Sequence, residues 1–235
     1  MRLPRGARSV PDTPWSAQGS RWRARPATLA VLVVGLWIFG SGEAAMVDAG
    51  IGVSPWTVLA EGIGEQAGIS IGAATFAVSV AVLLGWIPLR ERPGLGTVAN
   101  AVVVAIAIDA MRPLLPDPEA RVLQVAQVLA GIACIGVGSG LYLTANLGPG
   151  PRDGLMTGWH RRLGVPVGRV RLAIEVSVLV AGWLLGGTVG VGTVLFAVLV
   201  GYAVSLGLAA AARVSGAPRP AAPQPVRPGT AMPDS

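Results

Sequence analysis

Six apolar blocks, at approximately residues 27–47, 69–89, 94–111, 122–146, 171–189 and 191–212, follow one another with only short polar breaks. A helix crosses about 30 Å of hydrocarbon with about 20 residues, and these blocks are of that order. The composition agrees, since 52% of the 235 residues are hydrophobic and 13% charged, whereas soluble domains carry about a quarter charged residues. The expected fold is an all-α polytopic membrane protein with about six transmembrane helices over residues 27–212. The Pro-, Ala- and Arg-rich ends, 1–26 and 213–235, lack the apolar content to fold and are expected to be disordered. Block one, with Arg21, Arg23 and Arg25 before it and Ser41-Gly42-Glu43-Ala44-Ala45 after it, also has the outline of a cleavable secretory signal.

An internal repeat argues that block one is retained. Residues 40–97 align without a gap to 136–193 at a constant offset of 96, which makes block four the counterpart of block one. Gly52 pairs with Gly148, Pro55 with Pro151, Leu59 with Leu155, Gly68 with Gly164 and Thr97 with Thr193. Each half, about 27–112 and about 122–212, holds three spans. With an odd number of spans the second half lies upside down relative to the first, the inverted-repeat plan that recurs in transporters.

Charge sets the orientation and the compartment. All 18 basic side chains are arginine, and short basic segments stay on the cytoplasmic side of bacterial membranes. With both termini inside, 16 of the 18 fall on the cytoplasmic face, and only Arg112 and Arg121 lie outside. The net charge of +6 is therefore mostly topology. With no folded basic domain, nucleic acid is not an expected partner; the lipid bilayer is, with anionic lipid touching the tails weakly. One cysteine, Cys134, and one histidine, His160, leave no intrachain disulfide and none of the usual zinc sets. No metal or cofactor is expected.

The two segments Gly50-Ile51-Gly52-Val53-Ser54-Pro55-Trp56-Thr57-Val58-Leu59 and Asn146-Leu147-Gly148-Pro149-Gly150-Pro151-Arg152-Asp153-Gly154-Leu155 share a glycine-rich lead-in and a proline. Proline fits the first position of a helix, where no N–H partner is required. Ser54 suits the N-cap, and short helices of about 10–12 residues are expected to start at Pro55 and Pro151. They have two solutions. They lie in the interface with a tryptophan at headgroup depth, or they re-enter the bilayer from opposite faces and turn their positive ends toward one cavity, where an anion would bind.

On these residues, and on the run that ends at Met156, the chain resembles the YczE/YyaS/YitT-type family of bacterial integral membrane proteins, in particular its YczE-like branch. The resemblance covers roughly residues 28–212. It implies a small multi-pass protein of the bacterial cell membrane and brings no biochemical activity with it.

Ionisable groups inside spans are candidates for function because they are expensive to bury. Glu175 is expected to pair with Arg171 one turn earlier, and Asp109 with Arg112. Glu43 has no basic neighbour in the sequence and is either a proton-exchanging coupling group or a side chain that reaches the outer interface beside Asp48. Arg152 and Asp153 either cap a cytoplasmic loop or offer a guanidinium to a phosphate or carboxylate. Together Glu43, Ser54, Pro55, Trp56, Thr57, Asn146, Pro151, Arg152 and Asp153 form the expected solute or coupling site. Gly136–Gly140 and Gly40–Ala44 have the small-xxx-small spacing of close helix packing, within the chain or in a homo-oligomer. The leading expectation is transport of a small polar or anionic solute. The alternative is a non-transporting accessory protein that assists another membrane or secretory system. No GxSxG, HExxH or second histidine supports an enzyme.

Overall fold

The computed structural model describes residues 10–216, and every regular element among them is helical. Eight α-helices follow in order: α1 (Pro26–Asp48), α2 (Pro55–Ala67), α3 (Ile71–Leu89), α4 (Leu95–Met111), α5 (Arg121–Thr144), α6 (Pro151–Leu163), α7 (Val167–Leu184) and α8 (Val191–Val214). A 3₁₀ turn, Arg112–Leu114, closes α4. Five of these, α1, α3, α4, α5 and α8, are long and apolar enough to cross a membrane. Six spans are expected from the sequence, and the sixth, α7, differs for a local reason. It is 18 residues long and carries Arg169, Arg171 and Glu175 in its first three turns.

Helix starts recur at the offset of 96 residues: Pro55 and Pro151, Ile71 and Val167, Leu95 and Val191. The ends of α2 and α6 do the same, with a left-handed glycine after each, Gly68 and Gly164. Each half thus runs in the same order of one long, one short and two long helices.

At the centre α1 crosses α5 on glycines. A side chain at Gly42 would meet Gly131 and Ile135, and one at Gly138 would meet Gly35 and Phe39. α5 then packs on α8 through Gly136 against Ala203 and Gly140 against Gly207. Removing the Cβ lets two backbones approach closely, which is how helices associate where lipid supplies no hydrophobic drive. The small-xxx-small pattern therefore serves packing within the chain. The outer side of α8 is the opposite case: Val191, Val194, Val198, Tyr202 and Leu206 recur every three or four residues and are all exposed, as a lipid-facing stripe requires.

One end of the bundle is rich in arginine. There Arg161 pairs with Glu91, and Arg162 donates to the Pro88 carbonyl at 2.7 Å. At the other end Arg112 pairs with Asp48 at 2.9 Å, and Thr188 N–H donates to Glu61 at 2.9 Å. Arg112 thus takes Asp48 rather than the expected Asp109. Asp109 instead accepts the Ser70 hydroxyl at 2.5 Å and the Gly72 N–H at 2.8 Å, because that holds the otherwise unpaired first turn of α3.

The expected disorder of the 1–26 segment does not extend over its described part. Trp15 Nε1 donates to Thr144 Oγ1 at 3.0 Å, Ala17 N–H to the Ala145 carbonyl at 3.0 Å and Leu95 N–H to the Arg21 carbonyl at 3.0 Å. The segment satisfies carbonyls that the end of α5 leaves open. Residues 1–9 and 217–235, the rest of the two tails, lie outside the described residues.

Candidate functional site

The short helices start inside the bundle rather than on its surface. Ser54, Pro55, Trp56 and Thr57 are all buried, although α1 has already run out to Asp48. The chain turns back over residues 49–54 and brings Ser54 beside Glu43, which lies five residues before the end of α1, about 7.5 Å along a helix axis. Ser54 is the N-cap of α2, with its hydroxyl 3.4 Å from Thr57 N. The second lead-in behaves alike: Gly150 comes beside Asn100, five residues into α4, and Trp86 Nε1 donates to the Pro151 carbonyl at 3.0 Å. Two glycines make the reversals possible. Gly52 and Gly148 take φ of 110° and 114°, and each sits against the start of a helix from the other half. Gly192 N–H donates to the Ile51 carbonyl at 2.8 Å, and Gly96 N–H to the Leu147 carbonyl at 2.9 Å.

The two helix starts meet in a cavity of about 160 Å³. Glu43 enters its wall fully buried and accepts from the hydroxyls of Ser54 and Thr57 at 2.9 and 2.7 Å. Arg152 Nη1 lies 3.9 Å from Glu43 Oε1, and its guanidinium stacks on the Trp56 ring at 5.1 Å from the centroid. Asp153 accepts the Tyr142 hydroxyl at 3.2 Å. Arg171 and Glu175 pair at 2.8 Å, as their spacing predicts, yet both also line the cavity.

Each carboxylate has a structural job as well as a place in the wall. Glu43 stands at the N-terminal end of α2 and Asp153 in the first turn of α6, where negative charge is favoured. Arg152 is different. It makes an ion pair and a ring contact but no hydrogen bond among the described residues, so its donors are open to the cavity.

Of the nine residues expected from the sequence, Glu43, Ser54, Pro55, Trp56, Arg152 and Asp153 line the cavity. Thr57 stands one layer behind, holding Glu43. Asn146 and Pro151 do not join them. Asn146 has φ of 55° and donates to the Ala17 carbonyl at 3.2 Å, so it shapes the turn after α5, and Pro151 supplies only a backbone carbonyl, to Trp86.

The sequence left out Thr75, Ser79, Asn100, Ser139 and Tyr142, all in the wall. A signal for four of them, Tyr142 excepted, existed in the repeat. At the offset of 96, Trp56 corresponds to Arg152, Thr75 to Arg171, Ser79 to Glu175, Asn100 to Phe196 and Glu43 to Ser139, and both members of each pair line the cavity.

The all-helical bundle, its apolar spans and the burial of polar groups at its centre define a multi-pass membrane protein. Residues 26–207 match the model of a family of unknown function, DUF6198. The chain belongs to that family and to its YczE-like group. It is 43% identical over 211 residues to an uncharacterised protein of Haemophilus influenzae, covering 90% of this chain and 96% of that one. It is 31% identical over 190 residues to the uncharacterised membrane protein YczE of Bacillus subtilis, covering 80% and 85%. The Bacillus subtilis protein YyaS is more distant, at 24% over 166 residues, covering 69% and 83%. No solved structure matches the chain.

Proposed function

We propose that this protein is a carrier that moves a small polar or anionic solute across the bacterial cell membrane, built as two inverted repeats around the central cavity. One observation supports this above the rest: two short helices from corresponding positions of the two halves begin inside the bundle and point their N-terminal ends into one cavity whose wall holds charged side chains. Broken or short helices that meet at a repeat interface are where carriers hold their substrates. Fold analogy alone would not carry this; the open donors of Arg152 and the charged wall add chemistry to it.

In this reading α7 is the sixth crossing, both termini are cytoplasmic, and the arginine-rich end faces inside. Arg171 is half exposed while it lines the cavity, and α7 and α8 touch little where α3 and α4 pack along each other. The α7–α8 gap is then the way in, and the arrangement is inward-facing. Closing that gap while parting α3 from α4 would exchange the roles of the two halves, the kind of rocking that repeats permit.

The accessory reading rests on the chain's small size and short loops; a partner would need a packing face other than Gly136, which lies against Ala203 within the chain.

The test is flux into proteoliposomes that hold the purified protein, with labelled small carboxylates, amino acids and inorganic phosphate offered in turn. Saturable uptake that Arg152→Ala abolishes, with the variant's melting temperature retained, is the expected outcome. Uptake no faster than into protein-free liposomes for every solute would overturn the carrier.

A further inference from the structure

Three buried polar atoms among the described residues have no hydrogen-bond partner, and two of them, Trp56 Nε1 and Thr75 Oγ1, are on residues that line the cavity. Trp56 is 5% exposed and Thr75 3%. A buried donor without a partner is destabilising, so such groups call for an occupant that satisfies them. Trp56 Nε1–H can only donate, and the adjacent guanidinium of Arg152 can only donate. Both therefore ask for an acceptor, and the planar fork of an arginine matches a carboxylate best.

Charge points to a second group on the same molecule. The wall holds three carboxylates, Glu43, Asp153 and Glu175, against two guanidinium groups, Arg152 and Arg171. Arg171 is committed to Glu175. Arg152 is left to balance both Glu43 and Asp153, one negative charge in excess. A simple anion would add another negative charge to a wall that already carries one in excess. A simple cation would balance the charge but leave Trp56 Nε1 and Arg152 without an acceptor. A molecule with both ends meets both demands.

Size narrows it further. An apolar cavity of about 150 Å³ holds benzene, so this one admits about six non-hydrogen atoms.

We infer that the cavity binds a small zwitterion, its carboxylate held by Arg152, Trp56 Nε1 and Thr75 Oγ1 and its ammonium set toward Glu43 and Asp153. This rests on the carrier reading for its purpose but not for its binding, and the experiment separates the two. The full-length protein in detergent is titrated with glycine, alanine and β-alanine, with propionate, with ethylammonium and with inorganic phosphate, and both melting temperature and calorimetric binding are read. Stabilisation by at least one zwitterion and by none of the single-charge probes is expected.

Trp56→Phe and Thr75→Val should each weaken zwitterion binding about tenfold, the scale of one hydrogen bond to a charged group. Trp56→Phe also trims a buried ring and is read by binding alone, but Thr75→Val should not lower the melting temperature of the unliganded protein, because the lost hydroxyl has no partner there. A merely structural role would lower it. Binding of propionate, ethylammonium or phosphate in place of the zwitterions, or of none of the probes, would overturn the assignment. Zwitterion binding without flux in proteoliposomes would keep the site and remove the carrier; flux of phosphate without zwitterion binding would do the reverse.

Discussion

At the scale of the residue, position 154 shows how much a single hydrogen atom decides. A Cβ there would overlap the indole ring of Trp86, whose Nε1 is fixed on the Pro151 carbonyl. The first turn of α6 can therefore reach its place only as glycine. Gly154→Ala is expected to destabilise the protein by about 1–3 kcal/mol, as overpacking does, and trimming Trp86 to Leu in the same chain should restore part of it; thermal melts in one detergent would read both. Glu43 is the second such residue. Its two hydroxyl partners and Arg152 surround a side chain that the sequence left between the outer interface and the interior. Glu43→Gln keeps the shape and removes the charge that faces Arg152. Flux should fall at least tenfold while the melting temperature changes little, and retained flux would remove Glu43 from the mechanism. That Glu43 needed partners from elsewhere in the fold was legible, because no basic residue lies near it in sequence. That Ser54 and Thr57 would hold it was not, since the chain reversal over residues 49–54 makes those contacts.

At the scale of the element, the short helices were legible in kind and open in depth. Proline at the first position, Ser54 before it and Gly68 after it mark the ends of α2 without any structure. Interfacial and buried placements share that pattern, because both bury one side of a short helix. What separates them is which groups surround the first turn, a matter of packing. Ser54→Ala removes both the cap and a donor to Glu43, and about 1–2 kcal/mol should be lost; a loss below a few tenths would mean that the cap geometry is not maintained. The α5–α8 contact gives a sharper contrast. Gly136→Leu drives a side chain into the Ala203 backbone and should abolish stable folding, whereas Gly201→Leu, on the same pair of helices, meets open space and should be tolerated. Size-exclusion profiles of the two variants would tell them apart, and equal behaviour would contradict the packing. Both glycines look alike in the sequence; only the helix crossing assigns them different work.

At the scale of the whole molecule, topology is the testable claim. Reporter fusions after Arg92 and after Gly216 should score cytoplasmic and one after Asp117 extracytoplasmic, and the reverse at any of them would break the inverted arrangement and the crossing by α7. The sequence by itself determined the helical class, the membrane setting and seven of the eight helix starts to within two residues, α7 beginning at Val167 rather than 171, because hydrophobic length, proline, glycine and charge act locally along the chain. It also held the repeat, whose offset of 96 residues pairs Trp56 with Arg152. Only the tertiary structure decided that these two side chains stack on one another and that Thr75, Asn100 and Tyr142 share a wall with them. It also moved Asn146 out of the site and gave Asp48 rather than Asp109 to Arg112. Such pairings depend on how helices far apart in sequence cross, and the crossing is set jointly by close contacts at glycines on several helices at once. No single segment contains that information, so the site became visible only when the two halves were brought together.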